Sequence, residues 1–104
     1  RGIHATVQAT LLRPMRSTEV IAGLRQFYAG SHFVRVLDTP PRVKDVAASN
    51  YAEISAVADG RTVAVMSVID NLVKGAAGGG VQWMNRLLGF AETDGLTAPA
   101  PGWT

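Results

Sequence analysis

The 104-residue sequence has no cysteine, and that absence excludes more chemistry than any other feature of its composition. Disulfides, thiolate nucleophiles and cysteine-ligated zinc are ruled out within these residues. Charge is sparse: Asp, Glu, Lys and Arg make up 17% of the chain and leave a net charge of +2, which is no nucleic-acid footprint. No run of about 18 apolar residues exists to cross a membrane, and no signal-peptide pattern opens the chain. Histidine occurs only at His4 and His32, neither with a Cys, Asp or Glu at ligand spacing, so no metal site is expected. What is present is an ordinary globular mixture with 47% hydrophobic residues, enough for one domain. The chain starts at Arg1 and enters an apolar alternation at once, so it is read as the C-terminal part of a longer polypeptide.

From Ile3 to Leu11 apolar and polar residues alternate, the period of a strand with one buried face; Arg13-Pro14 ends it. Ser17 offers an N-cap oxygen, and Val20, Ile21, Leu24, Phe27 and Tyr28 share one face of a helix that Gly30 would stop. His32–Leu37 reads as a short strand, Thr39–Arg42 as loop, and Val43–Asn50 as an extended segment. Tyr51–Ala58 and Arg61–Ile69 flank Asp59-Gly60 as a hairpin with a two-residue turn, and the almost wholly apolar Thr62–Ile69 should be a central strand covered on both faces. Asp70 or Asn71 caps a helix expected from Leu72 to Leu88 with Val73, Ala77, Val81, Met84 and Leu88 on one side, followed by a tail, Thr97–Thr104, without periodicity. The order β-α-β-β-β-α predicts an α+β fold: a mixed, largely antiparallel sheet with helices packed on it.

Few residues carry chemistry by spacing alone. Gly75, Gly78, Gly79 and Gly80 are four glycines in six positions, each costing about 0.8–1.0 kcal/mol against alanine inside a helix. They provide either tight packing or room for a flat ligand. They fit neither a dinucleotide-binding turn nor a P-loop. Glu53 and Asp59 share a strand face at about 20 Å, too far for paired acid–base work. No serine has a histidine placed nearby, so no catalytic residue is assigned. Met15, Met66, Met84, Trp83 and Phe90 are core or interface. The Arg1 guanidinium could bind a carboxylate or phosphate in bidentate fashion.

The motifs Arg1-Gly-Ile-His-Ala-Thr6, Phe33-Val-Arg-Val-Leu37, Ala48-Ser-Asn50 and above all Val68-Ile-Asp-Asn-Leu-Val-Lys-Gly-Ala-Ala-Gly78 resemble the N-acetyl-gamma-glutamyl-phosphate reductase family. Gln82, Met84-Asn85, Gly89 and Glu92-Thr-Asp-Gly-Leu96 continue the likeness. The resemblance implies a semialdehyde-dehydrogenase-like, cytoplasmic, homo-oligomeric oxidoreductase of arginine biosynthesis. It would reduce N-acetylglutamyl 5-phosphate to its semialdehyde with NADP as cofactor, through a cysteine thioester. That cysteine, the histidine and the glycine-rich cofactor loop belong upstream in the family, so neither His4 nor His32 inherits a role and this chain alone should be inactive. Carried over by the resemblance are Asn71, which would lie against the nicotinamide, and Arg1, a contact for the substrate anion. Residues 1–69 would then belong to the catalytic and dimerisation domain. Residues 70–104 would form a helix and tail packing back on a Rossmann portion. Gly79-Gly80 depart from a more usual Gln-Ala pair, which puts the helix packing there in doubt. A lysine-pathway reductase with a carrier-linked aminoadipyl phosphate, and a non-catalytic oligomerisation module, are the alternative readings.

Overall fold

The computed structural model describes residues 1–102; the last two residues of the expected tail, Trp103 and Thr104, lie outside the described residues. Four strands form one sheet in the order β1-β4-β3-β2: β1 is Gly2–Thr10, β2 Val34–Val36, β3 Ala52–Asp59 and β4 Thr62–Asp70. β4 runs antiparallel to both β1 and β3, whereas β2 is parallel to β3. Helices α1 (Ser17–Phe27) and α2 (Gly78–Leu88) complete the α+β architecture. The mixed sheet is the one the periodicities predict.

The hairpin turn sits one residue later than expected. Asp59 pairs with Thr62, so the two turn residues are Gly60 and Arg61. Gly60 takes the first central position with φ +57°, a conformation that a side chain disfavours. Ser17 does not cap α1. Its Oγ accepts from the Ala58 N–H at 2.9 Å and donates to the Ala58 carbonyl, stitching the helix start to β3. The helix ends at Phe27 with Tyr28 as C-cap, before Gly30 is reached. Val43–Asn50 is not extended: Val43–Asp45 forms a 3-10 turn, and the chain stays folded through Asn50.

Alternation along β4 divides the sheet into two faces. Val63 meets Ile21 of α1 and Ala56 of β3 in the core, with Leu11, Val20, Leu24, Val36, Ala58 and Val65 packed around them. On the opposite face Val68 is fully buried, as are Val46 and Ala47 of the 43–50 segment. That segment presses so closely on the strand ends that a Cβ on Gly2 would collide with the Val43 side chain.

Thr62–Ile69 is therefore central, as expected, but its cover within this chain is partial. α1 packs over β3 and β2 and leaves the other half of that face open. Ile3–Thr10 of β1 is exposed throughout, so its apolar residues do not form the expected buried face; Val7 is 61% exposed. Phe27, assigned to the buried stripe of α1, is likewise exposed.

The predicted helix Leu72–Leu88 is two structures in succession. Val73–Ala77 is a π turn, with the Ala77 N–H donating to the Leu72 carbonyl at 3.0 Å, and α2 proper starts at Gly78. The wider turn rotates everything after it, so the buried residues of α2 are Gly78 and Asn85. Trp83, Met84, Leu87 and Leu88 point outward, with Trp83 and Leu88 each 64% exposed. Gly89 ends α2 in the left-handed conformation, φ +75°.

Candidate functional site

The antiparallel register that sets Gly2 opposite Asp70 brings the two candidate binding residues together at the ends of β1 and β4. The Asn71 N–H donates to the Arg1 carbonyl at 3.0 Å. Between them lies Asp70, which is fully buried and which the sequence offered only as a possible cap. Its Oδ2 accepts from Arg1 Nε at 2.7 Å and from the Ala48 N–H at 2.6 Å. Its Oδ1 accepts from the Leu72 and Val73 N–H groups, both at 2.8 Å, and from Arg1 Nη2 at 3.3 Å. Burial alone would raise the Asp70 pKa. The Arg1 guanidinium and the Ala48, Val73 and Leu72 N–H groups outweigh it and hold the carboxyl well below the usual range, so Asp70 is ionised.

Asn71 itself is exposed, and its Oδ1 lies beside Gly75, 3.5 Å from where a Cβ would stand. A free carboxamide above a residue without a side chain can both donate to and accept from another planar amide. Arg1 spends Nε and Nη2 on Asp70, and its side chain is 43% exposed. The remaining guanidinium nitrogen keeps donors for an anion.

Behind this edge runs a polar network that the sequence did not reveal. Gln82 Oε1 accepts from Lys74 Nζ at 2.6 Å and from Asn50 Nδ2 at 3.1 Å, while Gln82 Nε2 donates to Glu92 at 2.6 Å. Burial pushes the Lys74 pKa down, and Glu92 opposes it. Lys74, Gly79, Gln82, Trp83, Arg86 and Glu92 line a pocket of about 250 Å³ on this side of α2. Asn50 is buried against Gly78, so close that a Cβ there would strike its Oδ1. Gly78 thus serves tight packing, while Gly80 has open space above it. The Ala48-Ser-Asn50 motif was the one signal that could have disclosed this contact.

The remaining candidates stay apart. His4 is exposed on β1, and His32 is exposed beside the Phe33 and Tyr51 rings. No group of three potential metal ligands occurs among the described residues. Glu53 is buried opposite Arg35, with 3.5 Å between its Oε1 and Arg35 Nη2 and no partner for Oε2 among the described residues. Burial pushes its pKa up, against the pull of Arg35.

The mixed sheet and its helices define a fold class, and comparison with known proteins gives the family. Residues 1–71 match the family described as semialdehyde dehydrogenase, dimerisation domain, and the chain belongs to that family. The resemblance to N-acetyl-gamma-glutamyl-phosphate reductases extends along nearly the whole sequence. The chain is 51% identical over 106 aligned residues to that reductase from Symbiobacterium thermophilum, covering 97% of this chain and 30% of the relative. It is 48% identical over 100 residues to the one from Desulforamulus reducens, covering 92% and 29%. The chain thus spans about 30% of the length of the curated relatives it matches. Among solved structures it is similar to aspartate semialdehyde dehydrogenase II of Vibrio cholerae, with TM-score 0.64 and 22% identity over 84% of this chain and 27% of that one, a likeness of fold. No helix among the described residues is long and apolar enough to cross a membrane.

Proposed function

We propose that this chain is the C-terminal region of a cytoplasmic, NADP-dependent reductase that converts N-acetylglutamyl 5-phosphate to its semialdehyde in arginine biosynthesis. The observation that carries the reading is the identity of 43–51% to reductases of that name over more than nine-tenths of this chain. The exposed Asn71 carboxamide beside Gly75 fits the amide of a nicotinamide, and the spare Arg1 nitrogen fits a substrate anion. NADPH, when bound, supplies the hydride. The chain's own residues orient the two reactants: Asn71 turns the carboxamide end, and Arg1 holds the anionic end. With no cysteine in the 104 residues, the thiol nucleophile lies outside them.

Two exposed apolar surfaces support the remaining assignments. The open face of β1 and β4, carrying Ile3 and Val7, suits sheet packing against a second copy of the chain in a homo-oligomer. Trp83, Met84, Leu87 and Leu88 of α2 suit packing back on the Rossmann portion, the role that the resemblance gives residues 70–104.

The test is an assay of the full-length protein with N-acetylglutamyl 5-phosphate and NADPH. Substrate-dependent NADPH oxidation supports the proposal, and turnover only with a carrier-linked aminoadipyl phosphate redirects it to the lysine pathway. No oxidation with either substrate by a folded full-length protein overturns it in favour of an interaction module.

A further inference from the structure

An Asp that only caps a helix needs to accept from one or two backbone N–H groups at its start. Asp70 does this with Leu72 and Val73, yet it also draws in Arg1 from the start of β1 and Ala48 from the loop before β3. None of these extra bonds, two from Arg1 and one from Ala48, has a capping role. Ala48 delivers its N–H from φ +64°, and among the described residues no other side-chain-bearing position has a positive φ. Such strain persists where the surrounding structure demands it. Three segments distant in sequence thus meet on one buried carboxylate next to Asn71.

Asn71 is held through its backbone. Its own N–H is fixed to the Arg1 carbonyl, and the next peptide is fixed to Asp70. Arg1 in turn is held to Asp70 through its guanidinium, so both anchors of Asn71 converge on the same group. From this arrangement we infer that Asp70 is a positioning residue. By clamping Arg1, Ala48 and the opening of the π turn together, it fixes the direction in which the Asn71 carboxamide meets the nicotinamide. The inference rests on the assignment of Asn71 to the cofactor made above.

The test is calorimetric binding to the full-length protein without acyl phosphate, using two probes: NADP+ and 2′-phospho-ADP-ribose, which lacks the nicotinamide. Asp70→Asn keeps an oxygen for Leu72 and Val73 but turns an NH2 group toward Arg1 and Ala48, and so opens the clamp. The expected result is a rise of about tenfold in Kd for NADP+ with less than about twofold change for the nicotinamide-free probe. Equal weakening of both probes, or of neither, overturns the inference. Asn71→Ala separates the two levels. If it leaves NADP+ affinity unchanged, the cofactor assignment itself fails. If it weakens NADP+ while Asp70→Asn does not, only the positioning role fails. Should Asp70→Asn not fold, Arg1→Lys decides: it keeps the charge and loses the two-nitrogen grip. A selective but smaller rise in the NADP+ Kd supports the clamp, and an unchanged ratio of the two Kd values overturns it.

Discussion

The two helices of this chain sit in opposite situations. α1 turns Ile21 into a core with Ala56 and Val63 and is tied to β3 through Ser17. α2 does the reverse: it buries Gly78 and Asn85 against a polar network and offers Trp83, Met84, Leu87 and Leu88 to solvent. A contiguous apolar patch left exposed commonly marks an interaction surface. Ile21 of α1 has its cover within this chain, whereas these side chains of α2 are exposed in a chain about 30% as long as the relatives it matches.

Substitutions on the two sides should differ sharply, and the largest effect lies at their junction. Asp70→Ala removes the acceptor for five hydrogen bonds and should cost about 3–5 kcal/mol, read by chemical denaturation at neutral pH. Because the folded-state pKa of Asp70 is depressed, its contribution is fully present above the unfolded value of about 3.9 and is lost as pH falls toward the folded one. A variant lacking it should show a flatter acid limb. On the α1 side, Ile21→Ala should cost about 2–5 kcal/mol in this chain and in the full-length protein alike. A cost seen only in the longer protein would erase the contrast between the halves.

Two glycines of α2 stand in opposite surroundings. Gly78→Ala must push a methyl group against Asn50 Oδ1 and the Val73 side chain, 2.7 Å away, and should lose about 1–3 kcal/mol in thermal unfolding. Gly80→Ala meets nothing within 4 Å and should gain up to about 1 kcal/mol from helix propensity. Leu87→Ser, at a position 79% exposed, should stay within about 0.5 kcal/mol in this chain but destabilise the full-length protein. Equal neutrality in both would remove the proposed cover.

The smallest effect concerns Glu53. Its raised pKa means that its protonated form is favoured by folding, so this contribution is present below the unfolded value of about 4.3 and is lost as pH rises through the folded one. Glu53→Gln should raise Tm slightly at pH 7; a fall would mean that the Arg35 pair outweighs burial.

The strands, the hairpin and α1 were legible because each writes a local period into the sequence. The hairpin turn moved by one residue because Gly60, at the first central position, determines the phase of the turn. The exposure of Ile3, Val7 and Phe27 was not legible, since a periodicity marks a face to be buried without saying by what. The π turn escaped for a related reason: Leu72–Leu88 has ordinary helical spacing, and the tight fit of Gly78 on Asn50 belongs to tertiary packing. At the site, Arg1 was legible as an anion-binding guanidinium, and the binding role of Asn71 only through the family resemblance. Their meeting on Asp70 follows from the β1–β4 register, which no single segment encodes.

If the chain is part of a larger reductase as proposed, the outward faces of β1 and α2 are contact surfaces within it. Hydrogen–deuterium exchange tests this most directly, comparing the 104-residue chain alone with the same residues in the full-length protein. The expected result is that α1, β3 and β4 exchange slowly in both, while α2 and β1 gain strong protection only in the full-length protein. Equal exchange of α2 in the two forms would contradict it.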